Sequence, residues 1–372
     1  MKILIAPNSM KGSLNAFDFA DTVEKAFKQC SPDFDIRKVP VADGGDFTGE
    51  VLKENLGASE KMLKVVDPLG KTISSKYSIA GNKAIVEMAD ASGMKLLGAG
   101  ELNPLKASSF GTGQLIDDAI KSGCTEIYLA IGGSATVDGG MGMMEALGFN
   151  FYDHNQTKLS GNGGNLQHIH TIEKFDLSQK IVFKIICDVD NPLLGKTGAA
   201  EVFGPQKGAT PEMVEVLEKG LENWADILTK ESGKDLRDVE GAGAAGGMAL
   251  PLMAFFDAEI VPGADFVLQQ LNFDGQVKWA DIVITGEGKI DSQTLNNKAP
   301  FAVAKVARKY NKPVFAIGGK VENTTSEVFD GIFSLVNGPL TLDFAMNNAK
   351  QLLYGFSLEF AKTIQALVKL KE

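Results

Sequence analysis

Five short segments of the chain combine glycine with residues that can bind or transfer a phosphate group. Glycine lets the backbone approach a phosphate, whose oxygens are then bound by peptide N–H groups and helix N-termini. Carboxylates can hold Mg²⁺ and accept a hydroxyl proton, and lysines neutralise phosphate oxygens. The segments are APNSMKGSL, VADGGDFTG, AIGGSATVDGGMG, CDVDNPLLGKTGAAEVFGPQKGA and ITGEGKIDSQT. Together they predict a phosphoryl-transfer site.

Each segment also has a purely structural interpretation. Turns between a strand and a helix use glycine for positive φ and Ser, Thr or Asp to cap the helix. Asp138, Asp188 and Asp291 could each be such a cap. Taken together, however, the segments follow predicted strands, and the carboxyl ends of parallel strands meet at one edge of a sheet, where ligands bind. We therefore expect several of these side chains to lie close together.

The standard nucleotide-binding and catalytic signatures are absent from the sequence. Gly70-Lys71-Thr72 and Gly195-Lys196-Thr197 lack the first glycine of a P-loop. The stretch from Gly241 to Gly246 matches G-x-G-x-x-G, but charged residues precede it instead of a buried strand, so a tight backbone contact or a phosphate-facing helix start is favoured over a dinucleotide site. His154, His168 and His170 lack the carboxylate or cysteine pattern of a zinc site.

The elements that must position the segments are predicted from hydrophobic patterning. Continuous apolar runs indicate buried parallel strands, and apolar residues at helical spacing lie between them. The strands are expected at 2–7, 36–41, 127–131, 181–186, 281–285, 313–317 and 332–336, and helices at 16–28, 112–122, 211–228 and 300–310. Residues 60–90 are typical of antiparallel strands, and 161–164 of a loop.

This alternation predicts an α/β fold with a doubly wound parallel sheet, and 372 residues favour two domains. We expect a flavodoxin-like or Rossmann-like domain built from residues 1–55, 106–148 and 276–372, including the strand at 127–131. A second α/β domain, inserted in two pieces, would then comprise residues 56–105 and 149–275.

Composition and charge narrow the function classes. The formal net charge is −10, which argues against a nucleic-acid or anionic-membrane binder. The opening MKILIAPNSM lacks the apolar length of a signal peptide, and no run approaches the eighteen or so apolar residues of a membrane span. The three cysteines have no CxxC spacing and are expected to be reduced. A cytoplasmic location is therefore expected.

At these segments the chain closely resembles the type-1 glycerate kinases. The resemblance rests on nine stretches in order: IAPNSMKGSL, PVADGGDFTG, EMADASGM, FGTGQLI, IGGSATVDGGMGMMEALG, CDVDNPLLG, FGPQKGA, GAGAAGGM and ITGEGKIDSQTLNNKAP. It implies an ATP-dependent phosphotransferase acting on D-glycerate, with the active site in the cleft between two domains. The chain departs from the usual family pattern at Asn8, where Asp is common, and at Asp46-Phe47, where Glu-Gly is common.

The combined hypothesis assigns roles to named residues. The catalytic candidates are Lys11, Asp43, Asp188 and Asp291, and Mg²⁺ would be held by one or more of Asp188, Asp190 and Asp291. The proton acceptor stays open among Asp43, Asp188 and Asp291, and the 132–140 and 286–289 segments are expected to be loops that cradle phosphates. The predicted substrate- or nucleotide-binding residues are Ser9, Gly44, Gly45, Gly132, Gly133, Ser134, Thr136, Asp138, Gly139, Asn191, Lys207, Glu287, Lys289 and Ser292.

Three alternatives remain open at this point. A kinase of another small hydroxy acid or sugar acid would use the same scaffold, and a catalytically inactive ligand-sensing protein would keep the fold without turnover. An NAD-dependent oxidoreductase rests only on the glycines from Gly241 to Gly246. The sequence leaves open which hydroxyl is phosphorylated and whether the chain forms a homodimer.

Overall fold

A computed structural model describes residues 1–45, 47–175, 180–291, 298–322, 327–336 and 338–370. The strands are β1 (Lys2–Ile5), β2 (Asp35–Lys38), β3 (Ser59–Val66), β4 (Thr72–Ala80), β5 (Lys83–Glu87), β6 (Glu126–Ala130), β7 (Asn150–Tyr152), β8 (Lys158–Leu159), β9 (Thr171–Glu173), β10 (Val182–Cys187), β11 (Glu259–Pro262), β12 (Ile282–Ile290), β13 (Val314–Val321) and β14 (Gly331–Ser334).

The α-helices are α1 (Ala16–Cys30), α2 (Thr48–Leu56), α3 (Ala89–Ser92), α4 (Phe110–Lys121), α5 (Met141–Ala146), α6 (Ala199–Phe203), α7 (Pro211–Ser232), α8 (Ala249–Phe256), α9 (Gly263–Gln270), α10 (Phe273–Trp279), α11 (Ala299–Lys309), α12 (Leu342–Asn347) and α13 (Ala349–Lys369). Short 3₁₀ turns occur at Met94–Leu96, Gly163–His168, Pro205–Lys207 and Ala244–Gly246. Within the described ranges, no helix is both long and apolar enough to cross a membrane.

The chain divides into two compact units. Unit 1 comprises Met1–Asp43 and Gly263–Glu372, and unit 2 is the continuous segment Gly44–Pro262. Unit 1 contains a five-stranded sheet in the order β14-β13-β12-β1-β2, and all of its pairings are parallel. Its core includes Ile3, Ile5 and Phe19, which are fully buried because β1 lies inside the sheet and α1 covers it.

Unit 2 contains a six-stranded sheet in the order β11-β10-β6-β5-β4-β3. Strands β11, β10, β6 and β5 pair in parallel, whereas β3, β4 and β5 form an antiparallel meander, as predicted for residues 60–90. Residues 150–173, which include the loop predicted at 161–164, contain the small antiparallel sheet β8-β7-β9. Strands of only two or three residues carry too little periodicity to be recognised.

One expectation about the sheets is wrong. The strand predicted at 127–131 was assigned to the first domain, but β6 pairs with β5 and β10 in the sheet of unit 2. Residues 106–148 therefore lie in unit 2, and the units divide the chain differently from the expected domains. Hydrophobicity marks β6 as a buried strand, but buried strands of both sheets share this pattern, so it does not select the partner strand.

Candidate active site

In unit 1 the first and last predicted segments come together where β1 ends. Asn8 N–H donates to the carbonyl of Gly286 at 2.8 Å, so the chain after β1 runs beside β12. A Cβ atom on Gly288 would lie 3.3 Å from Met10 Cα and 3.4 Å from Lys11 N. Lys11 is exposed on this loop and Ser9 is half-buried. Unit 1 thus brings the loop of Ser9 and Lys11 against the strand that carries Glu287 and Lys289.

The predicted 286–289 loop is wrong, because β12 continues to Ile290. Gly286, Glu287 and Lys289 pair in register with β13, so the parallel ladder occupies this backbone. The G-E-G-K pattern suggested a turn, but the glycine serves close packing: a Cβ on Gly286 would lie 2.3 Å from the Ile317 carbonyl oxygen. Glu287 is buried in this strand.

Asp291 follows β12 and is ion-paired. Its Oδ2 lies 2.8 Å from Lys289 Nζ, and the same ammonium lies 3.1 Å from Glu322 Oε1. Lys289 and Asp291 are two residues apart, which places both side chains on one side of an extended chain. Ser292, the next predicted binding residue, lies outside the described residues.

Asn8 and Lys298 both contact the Asp43 carboxylate within unit 1. Its Oδ2 accepts from Asn8 Nδ2 at 3.3 Å and lies 3.5 Å from Lys298 Nζ. The amide of Asn8 is oriented by Ser9, whose N–H donates to Asn8 Oδ1 at 2.8 Å. Because that bond fixes which atom of the amide is oxygen, Nδ2 must face the carboxylate. Asn8, although it lacks the usual charge at this position, orients a candidate catalytic group.

In unit 2 the second, third and fourth segments meet. A Cβ on Gly44 would lie 3.2 Å from Asp188 Cγ, and a Cβ on Gly132 would lie 3.4 Å from the Gly44 carbonyl oxygen. Gly44 has φ +93°, a backbone conformation that favours glycine, and a side chain there would crowd the Asp188 carboxyl. Gly45 follows it beside Gly132. Asp188 and Asp190 are exposed after β10.

Residues 131–140 form the loop that the sequence predicts after β6. Ala135 N donates to Ser92 O at 2.9 Å, and Met94 N donates to Gly133 O at 3.0 Å. Among the described residues, the N–H groups of Gly132 and Gly133 donate no hydrogen bond. Hydrogen bonds to Ser92 and Met94 therefore hold the loop at Gly133 and Ala135, while the N–H groups of Gly132 and Gly133 stay available to a ligand.

Asp138 caps the helix that follows this loop. It is fully buried, and its Oδ2 accepts from Ser109 N at 2.8 Å, Ser109 Oγ at 2.7 Å and Gly142 N at 3.3 Å. Its Oδ1 accepts from Gly140 N at 3.2 Å. Burial raises the pKa of this carboxyl, although these bonds oppose the shift. For Asp138 the capping interpretation describes what the side chain does.

Lys207 is buried beneath the same loop, with only 2% of its surface exposed. Its Nζ donates to Ser134 Oγ and to the Thr136 carbonyl, both at 2.7 Å. Burial lowers the pKa of Lys207 to about 7, and Asp138 partly counteracts that shift. The Thr136 hydroxyl is buried with no hydrogen-bond partner in the described part of the chain.

The glycines at 241–246 and helix α7 support the end of this loop through contacts with its backbone. Gly139 N donates to Gly246 O at 2.9 Å, and Trp224 Nε1 donates to Gly139 O at 2.8 Å. A Cβ on Gly246 would lie 2.4 Å from Thr136 O. The glycines at 241–246 thus make the tight backbone contact favoured by the sequence. Asn191, a predicted binding residue, instead donates through Nδ2 to Thr197 O at 2.8 Å.

Three further candidates were missed in the sequence. Lys298 pairs with Asp43, Ser109 binds Asp138, and Glu87 accepts from Gly49 N at 2.6 Å near the start of α2. Burial raises the pKa of the Glu87 carboxyl. Glu87 and Lys298 lie inside stretches that carry the family resemblance, and Ser109 immediately precedes one. Position within those stretches was the available signal.

The family of the chain follows from its similarity to known proteins. The sequence profile of the glycerate kinase family matches residues 3–365. The chain belongs to the glycerate kinase family. Glycerate 2-kinase of Escherichia coli K12 is 41% identical over 373 residues, covering 98% of both chains, and glycerate kinase of Halalkalibacterium halodurans is 43% identical over 360 residues, covering 94% of this chain and 95% of the relative.

A solved structure agrees with this assignment. The crystal structure of glycerate kinase 2 from Salmonella typhimurium LT2 superimposes with a TM-score of 0.89 at 40% identity and covers 99% of both chains. The predicted family and α/β fold class are thereby confirmed. The predicted enzyme class is confirmed as well: the chain is an ATP-dependent kinase that acts on a hydroxyl group.

Proposed function

We propose that this glycerate kinase transfers the γ-phosphate of ATP to one hydroxyl of D-glycerate, giving 2- or 3-phosphoglycerate, in a Mg²⁺-dependent reaction in the cytoplasm. The observation that carries the proposal is the loop after β6, whose Gly132 and Gly133 N–H groups are available next to the Gly44-Gly45 pair, and Gly44 in turn lies against the Asp188 carboxyl. Consecutive peptide donors next to a carboxylate suit a phosphate accompanied by a cation.

The donor set fits magnesium. Mg²⁺ keeps several waters and is bound through one or two carboxylates together with substrate phosphates, not by an all-protein cage. The described residues offer no group of three or more His, Cys, Asp and Glu side chains that could hold a metal ion. Asp188 and Asp190 are exposed after β10, and glycine at position 44 leaves room beside Asp188. These two carboxylates would hold the ion, which would neutralise charge on the phosphates.

Asp43 is our choice for the group that accepts the hydroxyl proton. A base must be held in one orientation, and the amide of Asn8 and the ammonium of Lys298 hold this carboxylate. Asp291 is less suited because its ion pair is shorter, 2.8 Å to Lys289 against 3.5 Å from Asp43 to Lys298, so that a substrate hydroxyl would compete with a closer cation. Asp43 immediately precedes Gly44 in the chain.

Cationic groups would neutralise the anions of the two substrates. Lys11 is exposed on the loop after β1, next to β12, and Lys289 is half exposed on that strand. Lys11 is our candidate for the glycerate carboxylate or the transferring phosphate, because a lysine exposed on the loop after a strand can present its Nζ to an anion. Electrostatic positioning of this kind supplies most of the rate enhancement in phosphoryl transfer.

The product identifies the reaction. Incubation with D-glycerate, ATP and Mg²⁺, followed by ³¹P and ¹³C NMR, should show ADP together with one phosphoglycerate isomer. A competition assay across small hydroxy acids, scored by the ratio of kcat/KM values, should favour D-glycerate. Formation of no ADP with any hydroxy acid would instead support a ligand-sensing role.

Variants test the assigned residues. Asp43→Asn and Asp188→Asn should each lower kcat by several orders of magnitude, since an amide cannot accept the proton and an amide oxygen binds Mg²⁺ more weakly than a carboxylate does. Asp291→Asn should have a smaller effect. Near-normal rates in folded Asp43→Asn would show that another carboxylate is the base, and addition of EDTA should abolish turnover if Mg²⁺ is required.

A further inference from the structure

The side-chain nitrogen of Lys207 makes its hydrogen bonds within unit 2. Both of its hydrogen bonds end on the 131–140 loop, at Ser134 Oγ and Thr136 O, and only 2% of the residue is exposed to solvent. A lysine that neutralises a bound anion must present Nζ to the ligand. Lys207 presents Nζ to the loop instead.

The rest of the loop is held from other directions. Ser92 and Met94 bind its first half, and Gly246 and Trp224 bind its end at Gly139. Lys207 binds Ser134, which lies between the residues held by Met94 and Ser92, and Thr136, which lies between Ala135 and Gly139. The two peptide donors at Gly132 and Gly133 immediately precede the residue whose hydroxyl Lys207 binds.

We propose that Lys207 is a positioning residue that holds Ser134 and Thr136 so that the N–H groups of Gly132 and Gly133 are presented to phosphate oxygens. This inference rests on the proposed function of the loop as the phosphate cradle. In this proposal Lys207 acts through the loop, whereas the sequence analysis predicted that it binds the substrate or nucleotide directly.

The bonding pattern of Lys207 agrees with this role. A neutral amine donates two hydrogen bonds, and two are made within the described residues. Burial favours the neutral amine, and the pKa of about 7 allows it near neutral pH. The nearby carboxyl group of Asp138 raises the pKa of Lys207 and so opposes the effect of burial. An amine without a full charge is suited to fixing a backbone carbonyl and a hydroxyl.

The central experiment replaces Lys207 by methionine, which has a similar length and no donor. In Lys207→Met, amide hydrogen exchange of peptides that span 131–140 should accelerate about tenfold or more, because the middle of the loop loses both bonds. The kcat/KM for ATP should fall about tenfold to a hundredfold. Lys234→Met is the matched control, since Lys234 Nζ also donates to a backbone carbonyl, that of Met253, at 3.1 Å in the same unit. It should leave both measurements unchanged.

Ser134→Ala removes the same contact from the other side and loses only a hydroxyl. The effects of Ser134→Ala and Lys207→Met on loop exchange should be non-additive, because both substitutions remove the hydrogen bond between Lys207 and Ser134. Ser134→Ala also serves as the test if Lys207→Met does not fold.

Two results would overturn the proposal. Unchanged loop exchange in Lys207→Met and Ser134→Ala would show that the lysine does not hold the loop. Unchanged exchange with a raised KM for glycerate would show that Lys207 contacts the substrate directly. Failure of the wild-type protein to phosphorylate glycerate would count against the proposed function alone, since hydrogen exchange reports the loop without turnover.

Discussion

The buried carboxylate of Asp138 allows a sharp prediction, because its four hydrogen bonds are divided unequally between its two oxygens. Oδ2 accepts three bonds, from Ser109 N, Ser109 Oγ and Gly142 N, whereas Oδ1 accepts one, from Gly140 N. In Asp138→Asn the amide oxygen can replace Oδ2 and keep those three bonds. The NH₂ group then faces the Gly140 N–H.

The expected loss of stability in Asp138→Asn follows from the number of hydrogen bonds that the asparagine cannot make. One donor left facing another costs about 1–3 kcal/mol. We therefore expect Asp138→Asn to lower the free energy of unfolding by about 2 kcal/mol. Asp138→Ala leaves Ser109, Gly140 and Gly142 N–H groups without an acceptor and should cost about 4 kcal/mol or more.

Urea unfolding followed by tryptophan fluorescence measures this loss of stability. In a Trp279→Phe background, Trp224 is the remaining tryptophan, so the signal reports on unit 2. Trp224 also donates a hydrogen bond to Gly139, next to Asp138. The matched control is Asp67→Asn in the same unit. Asp67 Oδ1 accepts from Leu69 N at 2.8 Å and Lys71 N at 2.9 Å, so an asparagine keeps both bonds and should cost less than about 1 kcal/mol. Full stability of Asp138→Asn combined with lost turnover would refute the capping role and place Asp138 in the chemistry.

Three further predictions concern the same residues and their neighbours. The pKa of Lys207 is about 7 in the folded protein and about 10.5 in the unfolded chain, so the unfolded chain binds more protons between these values and the stability of the wild type rises with pH. In urea unfolding, the wild type should therefore gain up to about 3 kcal/mol over Lys207→Met between pH 7 and 9. A difference between the two proteins that does not change with pH would contradict this. Gly246→Ala should cost about 3 kcal/mol or more in the same assay, because φ is +73° and the new Cβ would lie 2.4 Å from Thr136 O, whereas Gly57→Ala, with φ +60° and open space, should cost about 1–2 kcal/mol. Asn8→Leu should lower kcat about tenfold to a hundredfold with little change in KM, since Asp43 loses its orienting amide, and an unchanged kcat would remove Asn8 from that role.

Much of the fold could be predicted from hydrophobic runs. Every strand expected from a continuous apolar run has a counterpart, from β1 to β14, and α1, α4, α7 and α11 lie where helical spacing indicated. The pattern could not tell which sheet β6 joins, because a strand buried on both faces looks the same in either one. It also missed α13, a 21-residue helix that packs on α1, and the two- and three-residue strands of the small sheet.

The candidate site was predicted by composition but not by role. Glycine, Asp and Lys after the strands located the loop at 132–140 and the Gly44-Gly45 pair. The sequence could not distinguish a carboxylate that caps a helix from one that meets a ligand, as Asp138 shows, because both roles place Asp after a strand. Nor could it show that Lys207 points inward, since that depends on packing of residues about seventy positions apart.

The placement of β1 has a consequence for biosynthesis. This strand pairs with β2 on one side and with β12 on the other, and Ile3, Leu4 and Ile5 are fully buried between them. About 240 residues separate Lys38 from Ile282, so a ribosome adding about 5–20 residues per second needs roughly 12–50 s to supply the second partner. The continuous segment Gly44–Pro262 can complete its own sheet during that interval. The apolar N-terminal strand must therefore wait with one edge unpaired, and an unpaired apolar edge is a site of misassembly that a chaperone would cover.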